Sequence, residues 1–322
     1  MTDRALIDAT RPFAVEHRRR SWAELVLTVA LLSATTAGAL LLEPWPLALA
    51  CSLGQAAFIV RLFMLYHDFL HGALLRGSAL ARVLFTVYGL LVLTPTRVWR
   101  QTHNYHHAHN SKIIGSHVGS FPVMTVAMWR AATPRQRLLY RFVRSPLNVL
   151  LAYVTIFAWG MCLSSFLRRP RQNWDSLLSL LLHVALVGLL AWLGGPRDAL
   201  FGYVIPLALA CMAGAYLFYV QHNYEGVVYQ PRESWSYGRA ALESSSFLET
   251  GPIVRWLTAN IGYHHVHHLN PTIPFYRLPE AMASVPALQS PGRTSLKPSD
   301  IAACFRLKLW DPEAGRMVGF TS

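Results

Sequence analysis

The chain holds fourteen histidines in 322 residues, and most of them are grouped. His67 and His71 form HxxxH, and His103, His106 and His107 form HxxHH. His264, His267 and His268 repeat HxxHH inside the stretch Asn260–Leu278, which also carries His265. On a helix, positions i, i+3 and i+4 share one face, so each group can aim two or three imidazoles at one point. Imidazole is the commonest metal-ligating side chain and suits iron, copper, nickel and zinc alike. A zinc site takes about four ligands; the three groups offer at least eight histidines, so two ions held by nitrogen is the economical reading. A plain zinc site and a membrane metal carrier are the competing readings. A carrier would want its ligands along a pathway inside the bilayer, whereas these groups gather at one rim of the apolar segments.

The elements that must position them are apolar. Hydrophobic residues make up 53% of the chain and the mean hydropathy is +0.30, which marks a membrane protein. The cysteines Cys51, Cys162, Cys211 and Cys304 form no CxxC pair, which excludes an iron–sulfur or disulfide framework. No glycine-rich nucleotide fingerprint is present. The formal net charge of +13 comes from arginines flanking apolar segments, so it reads as contact with anionic lipid headgroups and with an acidic electron carrier, not with nucleic acid.

Residues 1–21 are polar and include Arg18-Arg19-Arg20, followed by apolar runs at 22–42, 47–66, 176–193 and 199–220, each about long enough to cross a hydrocarbon core of roughly 30 Å. A signal peptide is the alternative for the first run, but the run continues past the small residues Ala37-Gly38-Ala39. The turn at 43–46 has no basic residue, which by the positive-inside rule places the N-terminus and the end of the second run in the cytosol. Arg61 is expected to snorkel to the headgroups. Leu80–Leu93 is short and reads as re-entrant or interfacial. Phe121–Trp129 reads as a short interfacial helix, and Ser299 as the cap of a helix reaching Leu309. Leu147–Leu167 is basic at both flanks and reads as bent or interfacial. The expectation is an all-α integral membrane fold with four transmembrane helices in two hairpins, interfacial or re-entrant helices, and a cytosolic cap of residues 67–146 and 221–322. Both termini and every histidine group then lie on the cytosolic side of one membrane domain, 22–322.

Trp99–Asn110 and Asn260–Leu278 resemble the second and third histidine boxes of the membrane fatty acid desaturases, and His67-Asp68-Phe69-Leu70-His71 resembles the first. The likeness runs from residue 50 to residue 280, and the combination HxxxH, HxxHH and HHxHHLxPxIPxY most resembles the acyl-lipid, omega-6 and delta-12-like branch. The resemblance implies a di-iron centre, O2 as co-substrate, and removal of two hydrogens from adjacent carbons of an acyl chain to give a double bond and water. Two electrons come from a separate donor, such as a ferredoxin or a cytochrome b5-type protein. The implied ligands are His67, His71, His103, His106, His107, His222, His264, His267 and His268. His222 stands alone in the sequence, and is included because the family often supplies an extra ligand from this region.

Asp68, Glu225, Asn260 and His265 are candidates to orient the ligands by accepting or satisfying their second ring nitrogen. His17, His109, His117 and His183 read as surface or packing residues. Phe69-Leu70 stands where the family often has small residues, as in HDCGH, which implies a reshaped substrate channel. HDxxHG also occurs in carotenoid ketolases, so a hydroxylase or ketolase on a carotenoid or alkane, or a terminal-alkene-forming fatty acid decarboxylase, are the alternatives; box three favours the desaturase. The acyl group could ride on lipid, thioester or free acid. Arginine far exceeds lysine, which points to a GC-rich bacterial genome and hence to the bacterial inner membrane.

Overall fold

The computed structural model describes residues 2–115 and 117–320, and the fold is mostly helical. The chain divides into two compact units: a histidine-rich unit (Met1–Val15, Thr102–Val149, Tyr216–Ser322) and a hairpin unit (Glu16–Gln101, Leu150–Ala215).

The hairpin unit opens with the helices Arg18–Leu41 and Trp45–His71, joined at Pro44. The second helix stops at Gly72, whose left-handed φ of 74° a glycine adopts without penalty. Arg61 does not snorkel. It is wholly buried, its Nη2 donates to Glu24 Oε2 at 2.6 Å and its Nε to Thr28 Oγ1 at 3.1 Å. A charge held among apolar helices needs such a partner, and Glu24 on the preceding helix supplies it.

The helix Ala79–Leu91, capped by Ser78, bends by 91° into the helix Thr96–His109. The break leaves helix-end carbonyls inside an apolar unit, where each must find a donor. Ser179 Oγ donates to Leu90 O at 2.6 Å, Tyr203 Oη to Leu91 O at 2.5 Å, and Tyr66 Oη to Thr94 O at 2.9 Å. The bend is thus held by its neighbours' hydroxyls. His183 lies between Tyr153 and Tyr203, with ring nitrogens 2.6 and 3.1 Å from their hydroxyls.

Among the described residues, three stretches can cross a membrane by length and composition: Arg18–Leu41, Trp45–His71 and Trp174–His222; counting the bent pair gives up to four. The last stretch has 49 residues and would be roughly 70 Å long if straight, more than twice the hydrocarbon thickness. It is broken at Gly195, whose φ of 80° and ψ of 177° are not helical, with Pro196 opening the next turn. Tyr153–Ser164 and Leu200–Val204 are wide-turn helices with i→i+5 bonding.

The histidine-rich unit contains strands that the all-helical expectation lacked. Met124–Thr125 pairs in parallel with Leu309–Trp310, and Leu309–Asp311 pairs antiparallel with Arg316–Val318. Phe247–Glu249 pairs in parallel with Arg293–Ser295. The helix expected over Phe121–Trp129 therefore begins only at Val126, after the strand, where Thr125 Oγ1 accepts from the Met128 N–H. The expected Ser299 cap is also displaced. The helix is Pro298–Arg306, with Lys297 at its N-cap, because Pro298 is set for the first helical position.

Candidate metal centre

Box two occupies the last turns of Thr96–His109, and His103, His106 and His107 are all buried. Box three occupies the short helix His264–Leu269, buried throughout. A helix of six residues is not stable by propensity alone, and its surroundings hold it. Leu248 N–H donates to Gly262 O at 2.9 Å, and a Cβ on Gly262 would lie 2.6 Å from Leu248 O, so the strand and the box-three entry meet only because residue 262 is glycine. Gln221 Nε2 donates to Ile261 O at 2.9 Å, and Tyr237 Oη donates to His268 O at 2.6 Å.

Within the histidine-rich unit the imidazoles fall into two sets. The ligand atoms of His106, His222, His264 and His268 all lie within 4.8 Å of one another. His222 Nε2 is 2.9 Å from His264 Nε2 and 3.0 Å from His106 Nε2. His268 Nε2 is 3.1 Å from His264 Nε2 and 3.2 Å from His106 Nε2. In the second set, His107 Nε2 is 3.1 Å from His103 Nε2 and 3.2 Å from His267 Nε2. In the hairpin unit, His67 and His71 end the helix Trp45–His71 with ring centroids 4.7 Å apart.

These spacings can be tested against a bound ion. Two nitrogens each about 2.1 Å from one cation and at about a right angle lie about 3.0 Å apart. The observed 2.9–3.2 Å matches. The tautomers agree where they can be read. His222 Nδ1 donates to Ser244 O at 2.9 Å, and a neutral imidazole carries one ring proton, so its Nε2 presents a lone pair. His67 Nδ1 lies 3.1 Å from Asp68 Oδ1, which fixes the same tautomer. Burial, followed by the surrounding rings of His107, His264, His222 and His106, pushes the pKa of His268 well below that of a free imidazole. His268 is therefore neutral, which is the ligating form, and the four-nitrogen set fits a divalent cation.

Other expected site residues have different surroundings. His265 faces away from both sets: its Nε2 donates to Leu288 O at 3.0 Å, and burial lowers its pKa to about 4. Asn260 Nδ2 donates to Phe275 O at 3.1 Å, in a left-handed conformation with φ 55°. Glu225 is exposed. His109 stacks on Tyr105 at 3.9 Å, and His117 is exposed. The Ser244 carbonyl, Tyr237 and Gly262 were not legible as site residues. Their contributions are made by backbone or by packing, and no local spacing marks them.

A family model described as fatty acid desaturase matches residues 42–295. A fatty acid desaturase of Bacillus subtilis is 32% identical over 275 residues, which cover 85% of this chain and 78% of that protein. The sn-1 oleoyl-lipid 12-desaturase of Synechocystis is 24% identical over 277 residues, covering 83% of this chain and 76% of the relative. The sn-2 acyl-lipid omega-3 desaturase (ferredoxin), chloroplastic, of Arabidopsis thaliana is 28% identical over 281 residues, covering 83% and 61%.

Proposed function

The chain belongs to the fatty acid desaturase family, a family of oxygen-dependent oxidoreductases, and on that premise we propose that it is a di-iron desaturase of acyl lipids in the bacterial inner membrane. One ion is assigned to His106, His222, His264 and His268, and the other to His103, His107 and His267; His67 and His71 are proposed as ligands from the resemblance of box one alone. The observation that carries this is the four-histidine set whose ligand atoms all lie within 4.8 Å, spaced as two nitrogens on one cation would be. Iron held there supplies the oxidation of an unactivated methylene by O2, which no side-chain acid or base can perform.

The remaining work belongs to the chain. Ser244 O holds His222 in the tautomer whose Nε2 is free to ligate, and Asp68 does the same for His67. His265, tied to Leu288 O, and Tyr237, tied to His268 O, keep the box-three helix from rotating. Overall, two hydrogens leave adjacent acyl carbons, O2 takes up those two hydrogens, two further protons and two donor electrons, and two waters form. The donor is assigned as a separate carrier of the ferredoxin or cytochrome b5 type. The Arabidopsis relative's name specifies ferredoxin, and the net charge of +13 suits an acidic partner.

For topology, the same reading assigns four crossings in two hairpins, Arg18–Leu41 with Trp45–His71 and the two halves of Trp174–His222 about Gly195. The bent pair Ala79–Leu91 and Thr96–His109 returns to the side it left, which puts every histidine box in the cytosol.

A mass-resolved lipid profile of a host expressing the protein beside its His106→Ala variant tests the reaction. An acyl product two hydrogens lighter, absent with the variant, is expected. A product heavier by one oxygen, or a released alkene, would move the reaction to hydroxylation or decarboxylation.

A further inference from the structure

We propose that Arg144, Lys308, Tyr216 and Tyr219 form a binding site for a phosphate group, carried by a phospholipid headgroup or present as the free ion. The site lies in the histidine-rich unit and shares no ligand with the metal sets. Arg144 is wholly buried at the end of the helix Pro134–Val143. Its Nη2 donates to Asn223 Oδ1 at 2.6 Å and to Leu307 O at 3.1 Å, and its guanidinium lies 5.0 Å from the centre of the Tyr219 ring. Its Nε is buried and donates to no described residue. The hydroxyls of Tyr216 and Tyr219 are likewise buried without a partner among the described residues. Both rings pack on Phe305, with centroids 6.3 and 4.9 Å away. Lys308, half-buried, donates to the Arg144 carbonyl oxygen.

The cluster is rich in donors. It offers two cations and two hydroxyls; the Asp300 carboxylate, whose charge reaches Tyr216, accepts from Ser295 and Ser299, and no described carboxylate forms an ion pair with either cation. Burial and then the charge of Arg144 pull the Lys308 ammonium down to about 8, as two like charges without a counter-ion require. A buried cation is retained only when an opposite charge or a full set of acceptors meets it. A phosphate group supplies both, because it presents several acceptor oxygens to an arginine fork, an ammonium and neighbouring hydroxyls. Tyr219 stands one helical turn before His222, so an anion held here would sit beside the metal-bearing end of Ile205–His222.

The test reads binding, so it stands or falls separately from desaturation. The full-length protein in a neutral maltoside detergent is titrated with inorganic phosphate and, separately, with dihexanoyl phosphatidylglycerol below its micelle concentration, following the thermal midpoint. Saturable stabilisation by either is expected; tighter binding of the lipid assigns a headgroup site, and binding of phosphate alone assigns a free-ion site. In the double variant Tyr216→Phe/Tyr219→Phe no existing hydrogen bond is lost, so the midpoint without anion should hold while affinity falls about tenfold. Lys308→Gln should weaken binding by a similar factor and flatten its salt dependence. No stabilisation by either anion, or wild-type affinity in both variants, would overturn the site and leave ordered water as the hydroxyls' partner.

Discussion

His222 and His264, forty-two residues apart in sequence, bring their Nε2 atoms to 2.9 Å. The His222 ring proton is already given to Ser244 O, so this nitrogen meets its neighbours with a lone pair. The contact ties the end of the last long apolar helix to box three, and it gives the isolated histidine the same surroundings as the boxed ones.

His222→Ala should therefore lower turnover by more than about a hundredfold, beyond what loss of an outer-shell partner typically costs. Protein level in the membrane should be unchanged. Acyl-product yield per milligram of membrane protein checks this, and near-wild-type yield would remove His222 from the ligand set.

The neutrality of the buried imidazoles sets a pH dependence. His265 is held near 4 in the fold, whereas in an unfolded chain it titrates at about 6.5. The unfolded state therefore takes up the proton first as pH falls. Stability is full above about pH 6.5 and declines between about 6.5 and 4, by up to ~3 kcal/mol for this residue. Thermal midpoints of iron-free protein in detergent across pH 4–8 should show the decline, and His265→Gln should flatten it. An unchanged slope in that variant would place the titration elsewhere, for example at His268, which is shifted in the same direction.

What could be read from the sequence was what is local. HxxHH puts three imidazoles on one face whatever the rest of the chain does, so boxes two and three were visible as sites. The apolar runs were visible by length. Long-range pairing was not. Met124 meets Leu309 across most of the chain in strands of two and three residues, too short to show any alternation. The Arg61–Glu24 pair was missed for a related reason: an arginine near a helix end reads as interfacial until the facing helix is known to carry a carboxylate.

That pair yields a stability prediction. Glu24→Gln leaves the Arg61 guanidinium buried without its counter-charge, at a cost of about 3–5 kcal/mol. Glu24→Gln/Arg61→Met should recover much of the loss. A double-mutant cycle on detergent-stable protein measures it, and equal damage in the single and double variants would show that the ion pair contributes little.

Gly262→Ala places a methyl 2.6 Å from the Leu248 carbonyl oxygen, so the strand and box three must separate. Activity should fall far more than expression, because the box-three imidazoles must match their partners to a few tenths of an ångström. Parallel measurement of yield and membrane content checks it; wild-type yield would show that the strand gives way instead.

The most direct measurement is metal content of the purified, active protein together with its His106→Ala variant. About two irons per chain are expected in the wild type, with a clear loss of iron in the variant. Zinc in place of iron in an active preparation, or one iron per chain at full activity, would contradict a di-iron centre built from these histidines.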